Sequence, residues 1–426
     1  MAPPASDPTV YQAHHDAFAA EGLPTSPAGW VERAQKVAGI LAPDAAARNI
    51  EQKVPHAEVS LLKSSGLTKI LGDPKYGGGG QTWEVAFRAI RELATGDGSV
   101  GMLLGYHLQW SSLTRVIGTE EQKERWEKTI LETNSFVGAA VNPRDNDSRI
   151  TPNGEGLVFN GFKNFTTGGA LSDLIVLEGV HMETNDHIFT IVPTKQPGFQ
   201  FAYNWHNMGM RLTESGSCKI EEIPFEWKDA LGFDVEAKKP IKELLESPYE
   251  TLLGPIFQLV FSNFYNGIAR GALQTAKGYT TTTTRPWPFT HNPQKSALDE
   301  HYILAKYGRY LASIRAADAL CDVAGKEISD LFHGYAGNKL DLTARQRGEV
   351  AESVTACKIT SSHMALEVTG GVFEVTGARS TSEKYSFDRF WKDIRVHTLH
   401  DPLAYKENEL GRYYLTNEIP TPSWYT

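Results

Sequence analysis

Short runs rich in branched and aromatic residues, "GLVFNGFKNF", "SDLIVLEGV", "HIFTIVPT" and "KIEEIPFEW", fill the chain from Phe136 to Phe233. Runs of this length, separated by turn chemistry, read as strands. On both sides of them the period is helical. Upstream, Trp83, Phe87, Ile90 and Ala94 recur at helical intervals, "DPKYGGGG" breaks the chain before them, and Thr119 with Gln122 in "GTEEQKERW" forms a capping box. Downstream, Leu259, Phe264 or Tyr265, and Ile268 lie in one long helical segment. Another helical stretch runs from about Ala297 to Leu331, and Thr343 with Gln346 opens a helix expected to end at Gly370-Gly371. A β block between two helical blocks predicts a mainly α protein with a central β domain. The expected division is a loose N-terminus over 1–24, a helical domain over 25–135, the β domain over 136–240, and a C-terminal helical bundle over 241–426. Within the β block, Asn160-Gly161 between two apolar runs predicts a hairpin turn.

Charge and cysteine content narrow the function. The 42 basic residues against 51 acidic ones leave a net charge of -9, which argues against nucleic acid or an anionic membrane as partner. Cys218, Cys321 and Cys357 are sparse and far apart, as expected of buried thiols in a reducing compartment rather than disulfides or a zinc cluster. "MAPPASDPTV" lacks the basic and apolar stretches of a signal peptide, and no run approaches the length of a membrane span, so a cytoplasmic protein is expected.

Two motifs invite a ligand. "GDGSVG", Gly96 to Gly101, matches the dinucleotide-binding G-x-G-x-x-G, but a helical pattern precedes it where a strand is required. In "DRFWKDIRVHTLHDP", His397 and His400 stand three apart, a spacing that could hold a metal, line a cofactor pocket, or cap and pack. A catalytic zinc takes three protein ligands and the spacing fixes no third, since the neighbouring Asp401 would face away on a helix. The balance falls to a pocket or packing role, with no metal expected.

The segments "DGSVGMLLGYHL", "NGFKNFTTGGALSDL", "MGMRLTESGS", "TRPW", "GVFEVTGARS" and "YSFDRFWKDIRVHTLHDPLAYK" together resemble the acyl-CoA dehydrogenase superfamily, in the flavin-dependent monooxygenase branch typified by dibenzothiophene monooxygenase. The resemblance covers most of the chain from about Leu61. It implies an N-terminal helical domain, a β-barrel-like middle domain and a C-terminal four-helix bundle, assembled as a homotetramer. It also implies that Tyr106, Asn142, Thr166, Thr167, Trp205, Arg285, Ala378, Arg379 and His400 surround FMN. Met102, Ala139, Phe165, Trp205, Phe257 and Phe261 would line the substrate pocket, and His400, Tyr106 and Thr167 would be catalytic. Arginines suit the phosphate, and hydroxyls suit the edge of the isoalloxazine ring.

His400 falls roughly where acyl-CoA dehydrogenases carry a glutamate-containing loop, and that motif is absent. α,β-Dehydrogenation needs a carboxylate base, whereas an imidazole beside the flavin suits oxygen chemistry. The implied activity is therefore a two-component monooxygenase. Reduced FMN, rather than FAD, arrives from a separate NAD(P)H-dependent flavin reductase, O2 is the co-substrate, and one oxygen passes from a flavin hydroperoxide to sulfur or nitrogen of a small, apolar, aromatic substrate. The rival is an FAD-dependent dehydrogenase of a thioester. Met102, Ala139 and Thr167 stand where the branch carries histidine, asparagine and serine; the first two make the pocket drier and put its substrate in question.

Overall fold

The computed structural model describes residues 3–142, 144, 145, 147–423 and 425. The first third is helical: α1 (Gln12–Glu21), α2 (Pro27–Leu41), α3 (Ala45–Glu51), α4 (His56–Ser65), α5 (Trp83–Ala94), α6 (Gly98–Ser111), α7 (Leu113–Ile117) and α8 (Glu120–Glu132). Trp83, Phe87, Ile90 and Ala94 are buried along one side of α5, as their spacing predicts. The Thr119 and Gln122 side chains complete the capping box of α8. Asp97 of "GDGSVG" caps the start of α6, its carboxylate accepting from the Val100 N–H, and α5 leads into it. A helix-to-helix corner is no dinucleotide turn.

Among the described residues, seven strands make the middle layer: β1 (Val137–Ala140), β2 (Arg149–Asn153), β3 (Gly156–Lys163), β4 (Leu174–His181), β5 (His187–Pro193), β6 (Phe199–Phe201) and β7 (Cys218–Phe225). Their order is β1-β4-β2-β3-β7-β6, with β5 on β4. β1 and β2 pair with β4 in parallel, and the other pairings are antiparallel. Ile150, Leu157, Phe159, Ile175, Leu177, Ile188 and Ile223 build the sheet's own apolar core. A short ribbon, β8 (Phe233–Asp234) with β9 (Lys239–Pro240), follows.

The expected hairpin at Asn160-Gly161 is corrected. β3 runs straight through these residues, and the turn is at Gly154-Glu155, between Asn153 and Gly156. Gly154 has φ +60°, which suits the first central position of a two-residue hairpin. Asn160 instead spans a bulge against β7: its amide donates to Glu222 Oε1 at 2.7 Å and its Oδ1 accepts the Glu222 N–H at 2.9 Å. Both Asn-Gly pairs suit a turn locally, and the strand pairing decides between them.

The C-terminal part comprises α9 (Lys242–Leu245), the three long helices α10 (Leu253–Thr282), α11 (His301–Gly334) and α12 (Ala344–Thr376), then α13 (Asp388–His397) and α14 (Leu403–Thr416). α10 packs on α5, α6, α11 and α12. α12 begins with the expected Thr343–Gln346 capping box but continues past Gly370-Gly371 to Thr376. Gly371 serves close packing instead: a Cβ there would collide with the Tyr310 hydroxyl of α11. Among the described residues, no helix is long and apolar enough to cross a membrane.

Candidate functional site

α6 and α10 meet where a Cβ on Gly105 would fall 2.5 Å from Val260 Cγ1, so glycine permits a close crossing. The next residue, Tyr106, therefore lies among the aromatics of α10, its ring centroid 5.3 Å from Phe257 and 5.9 Å from Phe261. Met102 and Ala139 are both buried, on α6 and β1, which are tied together by the Val137 N–H donating to His107 Nδ1 at 2.9 Å. α13 brings the histidines to the same place. His397, its last residue, packs 4.5 Å from Phe261, and His400 in the following turn packs 5.0 Å from Phe261 and 5.5 Å from His397 in a parallel stack. Tyr425 from the tail lies 5.8 Å from His400.

Hydrogen bonds join these rings into one network. Tyr106 Oη lies 3.3 Å from His397 Nε2, and Tyr265 Oη lies 2.8 Å from His397 Nδ1. Lys358 Nζ donates to Tyr265 Oη at 3.4 Å and to Asp401 Oδ1 at 3.2 Å. His400 Nδ1 donates to the same Asp401 oxygen at 3.2 Å. Both His397 nitrogens are thus engaged by tyrosines, which excludes a metal held by the pair in this arrangement. The expectation that Asp401 faces away from His400 is corrected: α13 ends at His397, so residues 400 and 401 lie in a turn, where the helical rule does not apply.

Burial sets the protonation of this network. It pushes His397 well below the usual histidine range, with His400 and Lys358 adding in the same direction, so the ring is neutral. It also raises Tyr106 and Tyr265 far above the usual phenol range. For Asp401, burial alone would raise the carboxyl, but the Lys358 ammonium and His400 outweigh it and hold the group ionised, well below the ordinary carboxylate range. Burial pulls Lys358 down, opposed by Asp401.

A second group lies on the sheet side. Phe165 has φ +57° and is 61% exposed, with its ring 6.2 Å from Trp205. Thr167 shares a hydrogen bond of 2.8 Å with Ser215, which bonds Thr213 at 2.7 Å, while the Thr166 hydroxyl donates to the Gly216 carbonyl at 2.9 Å. Trp205 Nε1 donates to the Met210 carbonyl at 2.6 Å, and the Met210 N–H donates to Asp393 of α13 at 2.6 Å. The Trp205 loop is thereby anchored to the helix that carries His397. Asn142, past β1, accepts from Lys163 Nζ at 3.3 Å through its carbonyl oxygen.

Arg285, Ala378 and Arg379 are exposed and lie elsewhere. Thr284 reaches the Val375 and Thr376 carbonyls at 3.4 Å, so the segments beyond α10 and α12 share one end of the bundle. Phe261 to Thr282 is roughly 30 Å along α10 at the usual helical rise, which keeps these arginines far from the same chain's His400. The set predicted to surround one cofactor is thus split between two places on the chain. Tyr265, Lys358 and Asp401 were missed as site residues. The signal for Lys358 was present: it shares the buried stripe of α12 with Val354, Ser361 and Ala365, where an unpaired ammonium would be costly.

The helical, sheet and helical layers are those of an acyl-CoA dehydrogenase-like fold. Residues 33–133 match the acyl-CoA dehydrogenase N-terminal domain family, and residues 259–404 match the C-terminal domain family. A dibenzothiophene monooxygenase from Mycolicibacterium goodii is 38% identical over 375 residues, 85% of this chain and 88% of that one. FMN-bound TdsC from Paenibacillus sp. A11-2 superposes with a TM-score of 0.86 at 30% identity, over 93% of this chain and 100% of that one. The methanesulfinate monooxygenase MsuC from Pseudomonas fluorescens gives the same TM-score and identity over 93% and 99% of the two chains. The chain belongs to the acyl-CoA dehydrogenase superfamily, in its flavin-dependent monooxygenase branch.

Proposed function

We propose that this protein is a two-component, FMN-dependent monooxygenase that places one oxygen of O2 on a sulfur, or alternatively a nitrogen, of a small apolar aromatic substrate. The observation that carries this reading is the state of the cluster's carboxylate. Asp401 is bound by Lys358 and His400 and held ionised well below the usual range, so it makes a poor proton acceptor. A thioester dehydrogenase needs a free carboxylate base over the substrate carbon. Here the polar groups near the aromatics are instead an imidazole and a phenol, which hold and deliver protons.

The residues fit a flavin. Phe165 offers exposed apolar surface beside Trp205, and the Thr166, Thr167 and Ser215 hydroxyls supply a polar edge next to it. When bound, reduced FMN supplies the electrons that activate O2. Tyr106 and His400 would hold protons near it, and Phe257 and Phe261 would exclude water and receive an aromatic substrate. Asn142 and Ala378 complete the proposed cofactor set, and the buried Met102 and Ala139 the proposed pocket. Arg285 and Arg379 suit the phosphate, but their place at the far end of α10 favours delivery from a second copy of the chain, consistent with a homotetramer. "GDGSVG" forms a helix corner, which favours a separate NAD(P)H-dependent reductase as the source of reduced FMN.

Reduced FMN, O2 and an aromatic thioether mixed with the protein test the proposal. A product heavier by one oxygen is expected. Reduction of bound FAD by an acyl thioester, with no oxygen transferred, would establish the rival dehydrogenase.

A further inference from the structure

We propose that Lys358 is a positioning residue that sets the hydrogen-bond direction of two arms, so that one delivers a free imidazole nitrogen at His400 and the other a free hydroxyl proton at Tyr106. The functional meaning rests on the reading of those two residues as facing the flavin; the directionality does not.

Donor and acceptor counting fixes both arms. An ammonium only donates and an ionised carboxylate only accepts. In the first arm, Lys358 donates to Asp401 Oδ1 at 3.2 Å, and His400 must donate to the same oxygen through Nδ1–H, also at 3.2 Å. Asp401 Oδ2 accepts from Gln258 Nε2 at 3.5 Å. His400 Nε2 makes no hydrogen bond among the described residues and is the nitrogen left for the site.

In the second arm, Tyr265 Oη accepts from Lys358 at 3.4 Å. Tyr265 is fully buried, and its only other partner among the described residues is His397 Nδ1 at 2.8 Å, so its proton goes there. Neutral His397 then carries its proton on Nε2 and donates to Tyr106 Oη at 3.3 Å. The Tyr106 O–H is left without an acceptor among the described residues, although the side chain is buried. A buried donor with no partner is costly, and a bound acceptor would satisfy it. Without Lys358 neither polarity is fixed: Asp401 loses its counter-charge, and the Tyr265 and His397 protons can reverse.

The test is 15N NMR of the flavin-free, full-length protein labelled in its 13 histidines, with resonances assigned through His397→Gln and His400→Gln. In wild type, His397 should show an unprotonated Nδ1 and protonated Nε2, and His400 a protonated Nδ1. Tyr265→Phe removes one hydroxyl with little change of shape. It should abolish the His397 preference and leave His400 unchanged, whereas Lys358→Met should disturb both and Lys358→Arg should restore the His400 pattern. A protonated Nδ1 on wild-type His397, or a His397 pattern unmoved by Tyr265→Phe, overturns the proposal. If the tautomers shift as expected while oxygenated product per reduced FMN stays unchanged, the positioning stands and the catalytic reading of Tyr106 falls.

Discussion

Asp393→Asn should make the protein more stable at alkaline pH. Asp393 is buried on α13, where burial first, with Asp97 adding to it, pushes its carboxyl up to about 7, against the Met210 N–H and the Arg389 and Arg211 charges that favour ionisation. The unfolded chain ionises it near 3.8. Between these values the native state holds a proton that the unfolded state has lost, so stability falls as pH rises through about 4 to 7 and the penalty is complete above that. At about 1.4 kcal/mol per pKa unit the full penalty is at most about 4 kcal/mol, and relaxation around the charge reduces it to about 2–4. Asparagine is neutral throughout, and its Oδ1 can still accept from Met210. Urea unfolding of wild type and variant at pH 5, 6, 7 and 8, at one protein concentration, isolates the term, because the other titrating groups cancel in the difference. The variant should gain on wild type steadily with pH and lead at pH 8. Parallel curves, or a variant weaker at pH 8, would refute the argument.

His400→Phe should still bind FMN yet release hydrogen peroxide in place of oxygenated product, read as peroxide formed per NAD(P)H consumed by a coupled reductase; an unchanged product yield would remove His400 from the mechanism. Arg285→Ala should weaken FMN binding by roughly tenfold or more, the usual cost of a charge-assisted hydrogen bond, as measured by flavin fluorescence titration. Co-expressing Arg285→Ala with His400→Phe chains should restore product only if one copy supplies the arginine to another's site. Gly371→Ala should destabilise by about 1–3 kcal/mol through overpacking against Tyr310, seen as a lower melting temperature.

The layers were legible because each rests on local pattern: the stripe of α5, the run of branched residues in β4 and the two capping boxes are read within a few residues of themselves. The errors came where a local preference met a distant partner. Asn160-Gly161 suits a turn, but β7 pairs with β3 on both sides of Asn160 and turns that asparagine into the clamp of a bulge. Gly370-Gly371 suits a helix end, but Tyr310 on the neighbouring helix requires the missing side chain there, and α12 continues.

The site shows the same division more sharply. The aromatic positions of α10 and the His397–His400 pair could be found in the sequence, since each is a short-range spacing. The polar network could not, because its partners are 43 residues apart for Lys358 and Asp401, 132 for Tyr265 and His397, and 291 for Tyr106 and His397. What the sequence does carry is a lysine on a stripe that must be buried. A buried ammonium demands a counter-charge, and among the carboxylates of the tail Asp401 is the one that the turn after α13 brings inward. The same pairing that makes the lysine tolerable also engages that carboxylate and holds it ionised, which leaves it a poor base for dehydrogenation.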